Sequence, residues 1–181
     1  MMLVKPYKSI CIERVDDGIY YYTYLPGYVR YWVGDRVIDK INIGRRVERY
    51  GLDMRDAVYY FVNDGDAVYF VVLRNRELYV MDLRRGREAY RRFEENLLYV
   101  YPSSNTIVVF VTGGKTHLMG FDGKILSTIY SEKSEPILTY DYRHIYIRDE
   151  DRVDIYRLRD LSIMRKLRID KPFYGIGVME S

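Results

Sequence analysis

The sequence predicts an all-β protein assembled from repeated four-stranded antiparallel sheets. Three observations carry this reading. Residues Ala67–Leu73 are apolar at every position, as befits a strand buried on both faces, whereas a half-exposed strand alternates with a period of two. Short runs rich in Val, Ile, Tyr and Phe recur along the chain, separated every few residues by Gly, Asp or Asn turns. The turn after the third strand of each group falls at Asp35, Gly86, Gly123 and Asp160, so successive intervals are 51, 37 and 37 residues.

The elements follow in order. The first group reads Ser9–Val15, a turn at Asp16-Asp17-Gly18, Ile19–Leu25, a turn at Pro26-Gly27, Tyr28–Val33, and then Arg36–Ile43 after Gly34-Asp35. Gly44–Arg55 is the longest connection and fits no strand. Val47, Tyr50 and Met54 would share one side of a short helix there, which Gly51 weakens. The second group begins with Ala57–Val62 and continues through Ala67–Leu73, Leu78–Leu83 and the heavily charged Glu88–Phe93. Polarity rises toward that last strand, as expected of a sheet with sealed middle strands and a wet, charge-protected edge. The third group comprises Leu97–Tyr101, Thr106–Val111, Thr116–Phe121 and Ile125–Tyr130. The fourth comprises Ile137–Tyr142, His144–Arg148, Val153–Leu158 and Ile163–Ile169, with a closing strand at Phe173–Met179.

A period near 40 with four strands per unit is the signature of a β-propeller. The expected architecture is a single domain over residues 1–181, propeller-like, with about four blades of four antiparallel strands. The blades span approximately 8–43, 56–93, 96–130 and 136–169, and 173–179 closes the ring. Most of the excess in the first interval corresponds to the Gly44–Arg55 connection. A β-sandwich or an irregular barrel built from the same strands is the alternative.

In its pattern of apolar strand, aspartate or glycine turn and outer strand, the chain resembles the WD-repeat and quinoprotein-like propeller superfamilies over nearly its whole length. The Trp-Asp dipeptide is absent, since Trp32 is followed by Val33, and the kelch-type glycine doublet occurs once, at Gly113-Gly114. The resemblance therefore implies a fold and carries no functional residue with it.

Composition narrows the function classes. Lys and Arg number 29 against 26 Asp and Glu, so overall charge does not single out nucleic acid, and a basic patch would have to be local. Cys11 stands alone, which rules out an intrachain disulfide or a cysteine metal cluster. No apolar run approaches the ~20 residues of a membrane helix, and the first ten residues lack the apolar core of a secretory signal. The expected location is cytoplasmic, without membrane association. Abundant charge and the lack of glutamine suggest a thermophilic, archaeal source. The 21 tyrosines suit strands whose rings pack while their hydroxyls reach a rim.

No catalytic or metal site is expected, and no cofactor. Thr112–Thr116 ends like a phosphate-binding loop, yet Val109 stands where that pattern needs glycine, and a strand follows where it needs a helix. A hairpin turn accounts for it. His117 and His144 are the only histidines, too few for a recognisable zinc or hydrolytic set. The acidic clusters at Asp16-Asp17, Asp64 with Asp66, and Asp149–Asp151 match tight-turn chemistry. They also leave open a carboxylate enzyme of the glycosidase kind.

Arginine is the most suggestive residue. Arg45, Arg46, Arg49 and Tyr50 lie in the long connection, while Arg74, Arg76 and Lys115 lie in loops between second and third strands. A propeller places both kinds of loop on one face, where arginine beside tyrosine binds phosphates, bases or protein partners. A solvated surface with ion pairs to Glu48, Glu77 and Asp149–Asp151 is the plainer account. Arg84, Arg85, Arg87, Arg91 and Arg92 are assigned to the opposite rim and outer edge as edge protection. The expected function is a non-catalytic scaffold binding a macromolecular partner, a protein, through one loop face. A nucleic-acid-associated module is the first alternative and a carboxylate enzyme the second. The sequence gives no oligomeric state.

Overall fold

The computed structural model describes residues 10–130, 137–138, 143–149 and 152–168. The proposed closing strand 173–179 lies outside them. Four antiparallel meanders follow one another. The first holds β1 (Ile10–Val15), β2 (Ile19–Leu25), β3 (Tyr28–Val33) and β4 (Arg36–Asn42). A helix, α1 (Ile43–Glu48), precedes the second, which holds β5 (Val58–Asn63), β6 (Val68–Arg74), β7 (Glu77–Asp82) and β8 (Glu88–Arg92). The third holds β9 (Leu97–Pro102), β10 (Thr106–Val111), β11 (Lys115–Gly120) and β12 (Ile125–Tyr130). The fourth holds β13 (Ile137–Leu138), β14 (His144–Asp149), β15 (Arg152–Arg157) and β16 (Ile163–Arg168). Every sheet keeps the chain order of its strands, so the architecture is all-β, with four propeller-like blades of four strands each.

The fully apolar strand explains how the blades adhere. Val68 through Val72 are all buried, and their alternation divides them between two cores. Tyr69 and Val71 join Val80, Val109, Phe110 and Ile145 in a core shared by blades two, three and four. Val68, Phe70 and Val72 join Tyr22, Tyr24, Val29 and Val47 in a core shared by blades one and two. One strand thus seals two neighbours, which its unbroken hydrophobicity makes favourable at roughly 1.5–3 kcal/mol per buried large side chain. Outer strands go the other way. Arg36–Lys40 and all of β16 are exposed and rich in charge, which guards those edges against stray pairing.

The rims are tied by hydrogen bonds to backbone carbonyls. On the rim of the second-to-third-strand hairpins, Phe93 N donates to Arg76 O (2.8 Å), Leu97 N to Asn75 O (2.7 Å) and Thr112 N to Asn96 O (2.9 Å). On the opposite rim, Arg87 donates from Nη2 to the carbonyl of Ser104 and Thr106 Oγ1 donates to Arg159 O (2.7 Å). Gly123 lies in the left-handed region, φ +83°, where a Cβ would come within 3.3 Å of Tyr90 O. Only glycine suits that turn. Among the described residues no helix is long and apolar enough to cross a membrane.

Candidate functional site

The long connection folds into one short helix laid between blades one and two. Asn42 caps it, its Oδ1 accepting from Arg45 N at 3.0 Å. Ile43 and Val47, four residues apart on one face, are completely buried in the core of those blades. Gly51, at φ +73°, ends the turn. With that face anchored, Arg45, Arg46 and Arg49 are carried along the opposite side. Basic residues in the last turn also suit the negative end of the helix.

These three arginines line an open groove of about 540 Å³ whose other wall is the β7–β8 turn, with Arg84 and Arg85. Lys40 lines it too, its ammonium 4.0 Å from the Tyr28 ring centre. Several of the charges are neutralised within the protein. Arg46 pairs with Glu88 at 3.4 Å. Arg84 donates from Nε to Glu13 Oε1 at 2.6 Å and from Nη1 to Asp66 O at 2.8 Å. Arg85 reaches Asp82, which is fully buried, at 3.4 Å. Arg45 and Arg49 are exposed and make no side-chain hydrogen bond or ion pair among the described residues. Two uncommitted guanidinium groups thus hang over the groove.

Glu88 is a polar hub that holds Arg46, one of the residues lining the groove. It accepts from Tyr79 Oη (2.6 Å), Tyr50 Oη (3.1 Å) and Arg46 Nη1 (3.4 Å). Burial opposes its ionisation, but the two hydroxyls and the guanidinium outweigh this and hold its carboxyl below the usual range. Burial first, then the bond to Glu88, pushes the Tyr50 phenol up. Its ring stacks on Tyr90, centres 4.6 Å apart and planes 13° from parallel.

Arg74, Arg76 and Lys115 sit elsewhere, on the rim of the second-to-third-strand hairpins. Arg74 lines a separate cavity of about 330 Å³ with Asn75, Asn96 and Tyr99, and lies 3.7 Å from Asp53. Asp53 is bound more closely by Arg55, at 2.7 Å, whose hydrogen bonds hold its carboxyl down at about 2. Arg76 is exposed. Lys115 Nζ donates to Glu95 at 3.1 Å. The His117 ring lies 3.8 Å from the same carboxylate and 2.8 Å from Thr128 Oγ1, and burial pushes its imidazole down. The structure therefore brings Arg45, Arg46 and Arg49 to one groove, with Tyr50 joined to Arg46 through Glu88, and leaves Arg74, Arg76 and Lys115 at separate places on the hairpin rim. It adds Arg84 and Arg85, which the sequence assigns to edge protection, to the groove. The acids that pair with Arg46, Arg74, Lys115, Arg84 and Arg85 are Glu88, Asp53, Glu95, Glu13 and Asp82 respectively. Glu77 instead accepts from Tyr90 Oη at 2.7 Å. The Asp149–Asp151 turn, apart from the Asp149 backbone, lies outside the described residues.

A third cavity, about 430 Å³, opens on the other rim, where Asp64 and Asp66 face Arg143, His144, Arg157 and Arg159. Asp64 Oδ1 accepts from Asp66 N (3.0 Å) and Ala67 N (2.8 Å), so its carboxylate serves the turn. Thr112–Thr116 lies across the β10–β11 hairpin, with both glycines at positive φ. Among the described residues no three His, Cys, Asp or Glu side chains are placed to hold a metal ion.

No protein-family model matches the chain, and no curated protein does. Solved structures do. The crystal structure of BamB from Moraxella catarrhalis superposes on 92% of this chain with a TM-score of 0.51 at 16% identity, using 50% of the BamB chain. BBS1N, solved in complex with ARL6DN, covers 90% of this chain with a TM-score of 0.51 at 11% identity, using 54% of its own length. The chain spans about half the length of these structures. At such identities the likeness establishes the fold alone, and by fold this chain is a β-propeller repeat protein of no narrower family.

Proposed function

We propose that this chain is a non-catalytic propeller scaffold, a single domain over 1–181, that binds a protein partner through the arginine groove between its first two blades. The observation that carries the reading is the pair Arg45 and Arg49, exposed and unpaired among the described residues, lining one groove with Arg46, Arg84 and Arg85. A blade pair presenting two guanidinium groups that are unpaired among the described residues suits an acidic segment. BBS1N, of like fold, was solved in complex with ARL6DN, which supports a protein as the partner. A cytoplasmic location accords with this reading. Arg74, Arg76 and Lys115 form a secondary contact region on the hairpin rim.

The test is capture of partners from a native extract by the chain and by an Arg45→Glu, Arg49→Glu variant, with and without nuclease. Nuclease-resistant capture that the variant loses is the expected result. Capture untouched by the double substitution sinks the proposal. The same arginines beside Tyr50 and Tyr90 favour a second reading, nucleic acid, which predicts nuclease-sensitive capture and affinity that falls steeply with salt.

A further inference from the structure

A cavity of about 330 Å³ opens on the rim between blades two and three. Small-molecule sites run from roughly 300 to 1,000 Å³, so this one suits a small ligand. It shares no lining residue with the arginine groove. Its more buried lining is apolar: Leu73, the Tyr60 and Tyr99 rings, and the half-buried Val58, Leu97 and Leu98. The Tyr60 hydroxyl is engaged by both backbone groups of Val100 and offers a ligand nothing. The exposed lining is polar: Asp56, Asn75 and Asn96, together with half-buried Arg74.

The ends of three strands hold these polar groups in place. β5 and β6 pair as far as Val58 and Leu73. Asp56 lies two residues before the one and Asn75 two after the other, so both flank the end of that ladder. Leu97 N donates to Asn75 O at 2.7 Å and Thr112 N to Asn96 O at 2.9 Å, which pins the backbone around the mouth. Asp56 and Asn75 adopt φ of 61° and 51°, a region that glycine reaches at lower cost. The chain keeps a carboxylate and an amide there instead. Among the described residues, the side chains of Asp56, Asn75 and Asn96 make no hydrogen bond and no ion pair. The Arg74 guanidinium makes no hydrogen bond among them either. Asp53 stands 3.7 Å from it, and the short contact of that carboxylate is with Arg55, at 2.7 Å.

A mouth with one carboxylate, one guanidinium and two amides over an apolar interior fits one class of small molecule. A sugar would press hydroxyls against Leu97 and Leu98, where no acceptor meets them. A phosphate would face the Asp56 carboxylate and leave the apolar lining unfilled. An aliphatic amino acid matches both halves. We propose that the cavity binds a free α-amino acid with an aliphatic side chain, its ammonium on Asp56, its carboxylate on Arg74 and its side chain among Leu73, Leu97 and Leu98. Charge-assisted hydrogen bonds at both ends supply affinity, and Asn75 and Asn96 add amide donors and acceptors. A peptide terminus carries only one of the two charges, so the site selects the free amino acid.

Isothermal titration calorimetry of the purified 181-residue chain with L-leucine and L-valine tests it. Saturable heat from either is expected. Capping the ammonium, as in N-acetyl-L-leucine, or the carboxylate, as in L-leucinamide, should weaken binding about tenfold or more. D-glucose and inorganic phosphate should give no saturable heat. Asp56→Gly suits the positive φ of its site, so its melting temperature should match or exceed that of the parent while leucine binding falls by a similar factor. Arg74→Met keeps the apolar stem. It should weaken L-leucine equally, leave L-leucinamide affinity unchanged and preserve the β-sheet circular dichroism spectrum. No saturable heat from either amino acid at about 10 mM overturns the proposal. So does leucine binding that folded Asp56→Gly and Arg74→Met leave intact, or glucose or phosphate binding of equal strength.

Discussion

The Tyr60 hydroxyl donates to the carbonyl oxygen of Val100 at 2.5 Å and accepts from the amide N–H of the same residue at 2.9 Å. One side chain of blade two thereby satisfies both backbone groups of a strand in blade three. Its ring lies parallel to that of Tyr99, 5.4 Å between centres, and the site is sealed. Tyr60→Phe keeps the ring and strands both Val100 groups. Each unsatisfied buried polar group costs about 1–3 kcal/mol, so urea unfolding should report a loss of about 2–4 kcal/mol at unchanged slope. A loss under about 0.5 kcal/mol would mean that water replaces the hydroxyl.

Asp82 is a fully buried carboxylate that organises the β7–β8 turn. Its Oδ1 accepts from the amides of Arg84 (3.1 Å) and Arg85 (3.0 Å), and its Oδ2 faces Arg87 Nε at 3.2 Å. Asp82→Ala should cost about 3 kcal/mol, which in a chain of this size lowers the melting temperature by roughly 10 °C. Asp82→Asn keeps the turn acceptor and should lose less than half as much. Equal losses would show that the charge alone matters.

Asp53 provides a pH signature. The Arg55 guanidinium and amide hydrogen bonds hold its carboxyl at about 2. Because the folded value lies below the unfolded one, the pairing is complete above about pH 4 and is lost as pH falls through about 2. Carboxyl resonances followed by NMR should place the Asp53 midpoint near 2. Arg55→Ala should raise it toward the ordinary aspartate value, and an unmoved midpoint would assign the shift to something else.

Glu88 is also held below its ordinary value, so its contribution is present above about pH 4.5 and fades as pH falls through the lowered value. Glu88→Gln weakens three contacts at once and should destabilise by about 1 kcal/mol at pH 7. Thermal melts of variant and parent should converge as the pH is taken below 4. A gap that stays constant down to pH 2 would show that packing, not charge, accounts for the loss.

The blades are legible in the sequence because burial on both faces leaves an unmistakable mark. Val68–Leu73 has no polar position, and the turns at Asp16-Asp17-Gly18, Asn63–Asp66 and Asp122-Gly123 bracket the runs cleanly. The helix is legible only in part. Val47 does lie on a buried face, but Tyr50 falls beyond the last helical turn and packs outward onto Tyr90. The composition of the groove is harder to read. Arg45 and Arg84 are brought to one cavity because the helix lies between blades one and two, and its placement depends on the burial of Ile43 and Val47 rather than on any local spacing. The carboxylates that neutralise Arg46, Arg74 and Lys115 come from other strands or loops, which a linear sequence does not rank.

The division of β6 between two cores has a kinetic consequence. Among the described residues blade two alone contributes to both, so the molecule behaves as a chain of nearest-neighbour units with one central link. Disassembly should proceed inward from the terminal blades, and the amides of β6 and β7 should be the last to exchange with solvent. A blade could be peeled from either end while blades two and three remain standing.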